Sequence, residues 1–324
     1  MSFSIEVKNE LCRSLNEENC CNTTELMAAI LISGEVSVQG IKISGLRLVT
    51  ENAAFARRLY SLTKMSIDAV PEIVIRKNNK LKKHATYIIT LTSSANIASL
   101  LKKTGISVEK NDETGKYQLM PTNCDIKNPC CKKIFLRGAF LAGGALSDPE
   151  KTYHLEITSK NSSTAKFIKI MMREFGLKAK VIKRKASLVT YLKEGENIAD
   201  FLNITGAHKA LMKFENIRIL KDMRNNVNRM VNCDTANLEK TVNASVRQIE
   251  NIKYIEKNFG LKNLSKNLRE IAEIRVQHPD ASLAELGQLL NPPLGKSGVN
   301  HRLRKLEQIA ENCRNNPGNM WNKK

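Results

Sequence analysis

The feature that most constrains this chain is an internal repeat. ELMAAILISGEVS (Glu25 to Ser37) is echoed by IFLRGAFLAGGALS (Ile134 to Ser147), with Met27 falling on Leu136 and Gly34 on Gly143 at a spacing of 109 residues. At the same spacing LRLVTEN (Leu46 to Asn52) falls on LEITSKN (Leu155 to Asn161). After a small length change, NIASLLKKTGI (Asn96 to Ile106) matches NIADFLNITGA (Asn197 to Ala207) at a spacing of 101. Three matches in the same order make this a duplication, so one supersecondary unit must be built twice. Each copy reads helix, strand, helix, two strands, helix, or that order with an extra strand before the first long one. The duplicated domain is expected over residues 1–215, with units of about 1–107 and 124–215.

PEIVIRKNNKLKKHATYIITL (Pro71 to Leu91) reads as a hairpin, two β-rich runs around an Asn-Asn turn, and LKAKVIKRKASLVTYL (Leu177 to Leu192) is its counterpart. One carries Arg76, Lys77, Lys80, Lys82 and Lys83, and the other Lys178, Lys180, Lys183, Arg184 and Lys185. A pseudo-symmetric pair of basic sheets fits a saddle for duplex DNA. Two solvated hairpin turns fit the same residues.

Ala29 and Ser33 are four apart in the leading helix of the first copy, as are Gly138 and Ala142 in the second, so each pair of small residues lines one face. Two such faces can pack with their backbones near contact. LRGAFLAGG and MAAILISGE resemble degenerate copies of the LAGLIDADG motif, whose helices in homing endonucleases pack at a pseudo-twofold axis between saddle-shaped sheets. In that family the eighth motif residue is an aspartate that holds a divalent metal at the scissile phosphate. Carried over, those positions are Gly34 and Gly143, and glycine offers no oxygen to a metal or an attacking water. Glu35 comes one residue late, about 100° further round a continuing helix, and Asp148 lies in SDPE, which reads as a turn or cap. A disabled site is the expectation, with no catalytic residue and no metal.

Lys and Arg total 52 against 32 acidic residues, a formal net charge of +20, which selects a polyanionic partner, nucleic acid before a membrane surface. No stretch of ~20 apolar residues occurs, which excludes a helical membrane span and points to a soluble, cytosolic protein. The eight cysteines include the adjacent pairs Cys20-Cys21 and Cys130-Cys131, with Cys12, Cys124, Cys233 and Cys313 apart from them. No C-x-x-C spacing occurs with histidines at metal-ligand distance, so reduced thiols packed as small hydrophobes, with no cofactor, are expected ahead of a zinc site.

Beyond about Glu215 the repeat ends. Residues 216–258 read as a polar, asparagine-rich helical linker, and apolar spacing resumes in LSKNLREIAEIRVQHPD with Leu264, Leu268, Ile271, Ile274 and Arg275 before a stop at Pro279. SLAELGQLL follows, with Ser282 and Glu285 spaced as a capping box. NPPLGK breaks the chain, and SGVNHRLRKLEQIAENC reads as another helix capped by Ser297. Val299, Leu303, Leu306 and, at the margin, Ile309 form an apolar stripe. The opposite side carries His301, Arg304, Lys305 and Gln308. Helix, break, basic helix is a helix-turn-helix pattern, expected over 259–314 with a flexible tail at 315–324. A helical hairpin for protein contacts has the same pattern.

HPDASLAELGQLLNPPLGKSGVNHRLRKLEQIA, with CCKKIFLRGAFLAGG upstream, resembles the WhiA family of bacterial DNA-binding regulators across nearly the whole chain. The resemblance implies an α+β fold in which a duplicated, degenerate LAGLIDADG-like domain is followed by an all-α helix-turn-helix domain. It implies a non-enzymatic, sequence-specific regulator of transcription with a part in cell division, chromosome segregation and, in sporulating or filamentous bacteria, sporulation. Double-stranded DNA is the expected partner, with another transcription regulator or RNA polymerase beside it, and the place is the cytoplasm, on the nucleoid. Arg304 and His301 are assigned to bases, Lys305 and Arg302 to phosphates, and Lys296 to the helix entrance, with Ser297, Asn300 and Gln308 completing the surface. A LAGLIDADG-type metal-dependent endonuclease and a scaffold that touches no DNA are the alternatives.

Overall fold

The computed structural model describes residues 2–14, 19–40, 42–67, 70–77, 85–111, 115–122 and 126–315, without the side chains of Asn19 and Cys20. Two compact units result, one running through Asp222 and the other from Met223.

The first unit opens with helix α1 (Phe3–Leu11) and then builds the same pattern twice. The first copy is α2 (Asn19–Ser33), β1 (Gly34–Gln39), β2 (Lys42–Thr50), α3 (Ala53–Ile67), β3 (Glu72–Lys77), β4 (Ala85–Leu91) and α4 (Ser94–Thr104). A two-stranded sheet, β5 (Ile106–Lys110) with β6 (Tyr117–Pro121), stands between the copies. The second copy is α5 (Pro129–Gly143), β7 (Gly144–Leu146), β8 (Leu155–Ser159), α6 (Ser162–Glu174), β9 (Lys180–Arg184), β10 (Ser187–Leu192) and α7 (Gly195–Thr205). The sheets have the same order, β1-β2-β4-β3 and β7-β8-β10-β9, so the duplication expected from sequence holds strand for strand, including the extra strand ahead of the first long one.

Period-2 alternation sets the inner face of each sheet: Leu46 and Leu48 in β2 and Leu155 and Ile157 in β8 are buried, while Arg47 and Glu156 point away from the core. α3 and α6 cover those faces with Phe55, Leu59 and Leu62 in one and Ile168, Met171 and Met172 in the other. α2 and α5 pack together at the centre. They are apolar on all sides, as a helix enclosed by protein must be, with Leu26, Ala28, Ala29, Ile30, Phe135, Leu136, Ala139 and Phe140 fully buried. The small-residue contact is real and lies at Gly138, where an added Cβ would stand 2.8 Å from the Glu25 carbonyl oxygen and 3.0 Å from the Ala28 Cβ.

Strand register corrects the alignment of the two central helices. Gly34 pairs with Leu48 and Gly144 pairs with Ile157, so Gly34 corresponds to Gly144 and Ser33 to Gly143, an offset of 110 rather than 109. Both junction glycines crowd the carbonyl four residues back, where an added Cβ would lie 2.3 Å from the Ile30 oxygen and 2.5 Å from the Phe140 oxygen.

α8 (His208–Asn258) starts before residue 216 and runs unbroken into the second unit. There its last turns supply Ile252 and Ile255 to a core completed by α9 (Lys266–Gln277), α10 (Leu283–Gln288) and α11 (Lys296–Asn315). The fold class implied by the resemblance is therefore the one found. Among the described residues no helix is long and apolar enough to cross a membrane.

Candidate nucleic-acid interface

α10 begins with the capping box expected from sequence: Ser282 Oγ accepts from the Glu285 N–H at 3.3 Å, and Glu285 Oε2 accepts from the Ser282 N–H at 2.7 Å. Hydrogen bonding from the Ser282 backbone N–H, and then from its hydroxyl, holds the Glu285 carboxyl below its usual range, so the cap contributes above ordinary carboxyl pKa values and weakens as pH falls through the depressed one. The turn into α11 is tight because Gly287 has no side chain. A Cβ there would stand 2.0 Å from the Leu294 oxygen, while Leu294 N–H donates to the Gly287 carbonyl at 2.8 Å.

α11 starts one residue before the expected cap. Val299 N–H donates to the Gly295 carbonyl at 3.1 Å, which puts Ser297 inside the first turn. Gly295 takes the cap position, where glycine costs only about a few tenths of a kcal/mol relative to serine. The inward stripe is Val299, Leu303, Leu306, Ala310 and Cys313, with Ile309 half-buried, as the apolar spacing implied. Ser297, His301, Arg304, Lys305 and Gln308 are exposed and recur at three- and four-residue steps, so they share one face. Lys296 is exposed at the helix start and Asn300 is half-buried beside that face. Among the described residues no ion pair engages His301, Arg304 or Lys305. Arg302 differs: its guanidinium turns to α9, donating to the Asn267 carbonyl at 3.4 Å and standing 3.9 Å from Glu270. Angular spacing alone could not tell the edge of the outward face from the α9 groove.

Arg275 escaped the sequence reading as a site residue because it sits in an otherwise apolar pattern. It is 2% exposed and has no carboxylate partner among the described residues. Its Nη1 donates to the carbonyls of Ala281 at 2.7 Å and of His278 and Pro279 at 3.3 Å, and its Nε donates to Gln248 at 3.0 Å. Burial lowers its pKa. The α9–α10 connection is thus tied to α8 by Arg275 through Gln248 and by Ser245, whose hydroxyl donates to the Pro279 carbonyl.

Among the described residues of the two hairpins, the cations divide between the two faces of each sheet. Arg76 and Lys77 are both exposed but adjacent in β3, and neighbours in a strand face opposite ways; the same holds for Lys183 and Arg184 in β9. Register places Glu35, Arg47, Thr90 and Glu72 in one row on the outer face of the first sheet, with Arg76 further along that face. On the second sheet Lys180 and Arg184 share the outer face with Glu156, and Arg184 is 3.1 Å from its Oε2. Lys185 forms the turn at φ 54°. Acids therefore interleave with the cations expected to track phosphates. Lys80, Lys82 and Lys83 lie outside the described residues, as do Cys124 and the tail from 316.

At the ends of the central helices, Ser33 Oγ donates to the Ala29 carbonyl at 2.8 Å and Gly143 offers no side chain, so neither place corresponding to the motif aspartate has a carboxylate. Glu35 is not on a continuing helix, because the backbone turns to strand at Gly34. Its carboxylate is 3.2 Å from the Lys160 ammonium, which also donates to the Gly34 carbonyl at 3.1 Å. Asp148 lies in the expected turn, accepting from the Glu150 N–H at 3.0 Å.

Two copies of a LAGLIDADG-type unit without the metal-binding aspartates, followed by a helix-turn-helix, define the class of protein. Family models agree: the WhiA N-terminal LAGLIDADG-like domain matches residues 19–107, the WhiA LAGLIDADG-like domain 132–224 and the WhiA C-terminal HTH domain 227–310. The chain is 55% identical over 316 residues to the "Probable cell division protein WhiA" of Ruminiclostridium cellulolyticum, covering 98% of this chain and 99% of that protein. It is 49% identical to the protein of the same name from Alkaliphilus metalliredigens, with 96% and 98% covered. The crystal structure of full-length DUF199/WhiA from Thermatoga maritima matches with TM-score 0.58 at 28% identity, covering 96% and 98% of the two chains. The chain belongs to the WhiA family.

Proposed function

We propose that this chain is a non-enzymatic, sequence-specific DNA-binding regulator of transcription, acting in cell division as the names of its relatives suggest. The observation that carries the reading is the outward face of α11, where Ser297, His301, Arg304, Lys305 and Gln308 stand exposed on a helix fixed from behind by its apolar stripe. In a helix-turn-helix that helix enters the major groove with its N-terminal part against base edges. Arg304 and His301 are three residues apart, and an arginine can donate two hydrogen bonds to guanine O6 and N7. Lys305 and Lys296 flank them and suit phosphates, Lys296 beside the positive end of the helix. Arg302, turned to α9, orients α11 rather than reading DNA.

For the duplicated unit, the interleaved acids on both outer sheet faces favour a platform for a protein partner, another transcription regulator or RNA polymerase, over a phosphate-tracking saddle. Metal-dependent cleavage has no support from residues at the helix ends, since Lys160 places an ammonium against Glu35. Work on the nucleoid in the cytoplasm follows from this reading. The resemblance to the family adds a part in chromosome segregation and sporulation control.

In the presence of Mg²⁺ or Mn²⁺, the protein is expected to bind a duplex selected from a random pool in strong preference to unselected duplex, and to leave it uncut. Cleavage that Glu35→Ala abolishes, or equal binding of both duplexes, contradicts the proposal.

A further inference from the structure

Cys21 near the start of α2 and Cys130 and Cys131 at the start of α5 bring their sulfurs together. All three Sγ atoms lie within 4.8 Å of one another, and those of Cys130 and Cys131 are 3.9 Å apart. A disulfide holds its sulfurs at about 2.05 Å, so these are separate thiols. A zinc ion bound by sulfurs at about 2.3 Å in a tetrahedron sets sulfur–sulfur edges of about 3.8 Å. From this spacing we propose that Cys21, Cys130 and Cys131 form a thiolate site for a single zinc ion, joining the two central helices at their N-terminal ends.

The cysteines are equivalents in the duplication. Cys20-Cys21 and Cys130-Cys131 are 110 residues apart, the same offset that strand register gives Gly34 and Gly144. Ligands drawn from two copies of a repeat need no C-x-x-C knuckle, which is why local spacing gave no metal signal. The surroundings suit bound thiolates. α2 and α5, each of 15 residues, both direct their N-terminal ends to the cluster, and the helix dipoles there favour negative sulfur. Arg137, one turn and a half along α5, feels the Cys21 sulfur. Cys21 and Cys131 are buried, while Cys130 is exposed and gives an ion its way in. Burial, together with the neighbouring thiols, pushes the Cys21 thiol well above its ordinary range. A divalent ion reverses that preference by displacing the protons and holding the sulfurs as thiolates. A polynuclear iron–sulfur cluster separates its cysteines by its own metal–metal edges and needs them wider apart.

The test uses the full chain, purified without a metal-affinity tag under reducing, oxygen-free conditions, with metals and acid-labile sulfide quantified. About one zinc per chain is expected, held by three thiolates with water completing the tetrahedron. Zinc is expected to fall at least tenfold in Cys21→Ser and Cys131→Ser and to stay unchanged in Cys313→Ser. Cobalt added to the zinc-free protein should give the strong visible absorption of a tetrahedral thiolate complex, absent from the same variants. Should the buried substitutions unfold the chain by circular dichroism, Cys130→Ser at the exposed position carries the same expectation. The proposal is overturned by reduced protein that binds neither zinc nor cobalt, by a folded cysteine variant that keeps its zinc, or by iron with sulfide in place of zinc.

Discussion

Glu25→Ala is expected to destabilise the duplicated unit by about 3–5 kcal/mol, the cost of removing one partner from a buried ionic group. The Glu25 side chain is fully buried between two arginines. Arg58 engages it through two nitrogens, Nη2 to Oε2 at 2.8 Å and Nε to Oε1, while Arg137 Nη2 reaches Oε2 at 3.1 Å. Arg58 also donates to the Cys12 and Ser14 carbonyls at 3.1 and 2.6 Å, so one carboxylate ties together the end of α1, α2, α3 and α5. Burial lowers the Arg137 pKa; at Arg58 burial acts the same way, but its hydrogen bond and charge pairing with Glu25 prevail and raise it. Without Glu25, two largely buried guanidiniums would lose the carboxylate they share. The melting temperature of this unit should drop by roughly 10 °C. Glu25→Ala combined with Arg137→Ala should cost less than the sum of the two single changes, because both single changes break the same Glu25–Arg137 contact. Additive effects, or a shift of only a degree or two, would mean that the group is not coupled.

Arg275→Met is expected to cost the helix-turn-helix unit about 1–3 kcal/mol, since it removes the donor to the Ala281 carbonyl and one of the two donors to each of the His278 and Pro279 carbonyls, which also accept from the Ala281 N–H and the Ser245 hydroxyl. Arg275→Lys should rescue little of this, because an ammonium cannot span His278, Pro279, Ala281 and Gln248 as a guanidinium fork does. DNA affinity should be near that of the parent well below the melting transition and fall through the transition as the unit unfolds. Full rescue by lysine, or lost affinity at low temperature with the unit still folded, would show a role other than stapling.

The contrast between these residues and the rest of the fold marks what a sequence can yield. Leu46, Leu48, Leu155 and Ile157 declare their face by alternation, and Val299, Leu303 and Leu306 by helical spacing, because burial of apolar side chains is periodic in sequence. Glu25, Arg137 and Arg275 interrupt apolar patterns, and their partners come from helices up to 112 residues away. The register of the central helices was misjudged by one residue because letters match at 109 in β2 and β8, while the junction glycines fall at 110. For the described part of the hairpins, counting cations says nothing of which face each one takes. Alternation separates Arg76 from Lys77, and the acids that dilute the outer faces come from neighbouring strands. Ser297 looked like the cap of α11 because Gly295, two residues earlier, leaves no side-chain signal at all.

The account rests most heavily on α11 as the reader of sequence, and equilibrium competition measures that directly. Affinities of parent, Arg304→Ala and Lys305→Ala for the best selected site and for random duplex are compared at one salt concentration, with folding checked by circular dichroism because Leu303 and Leu306 lie close by. Arg304→Ala is expected to lose about 1–3 kcal/mol on the selected site and little on random duplex, while Lys305→Ala weakens both alike. A folded Arg304→Ala protein that binds the selected site as tightly as the parent, with its preference over random duplex intact, would contradict it.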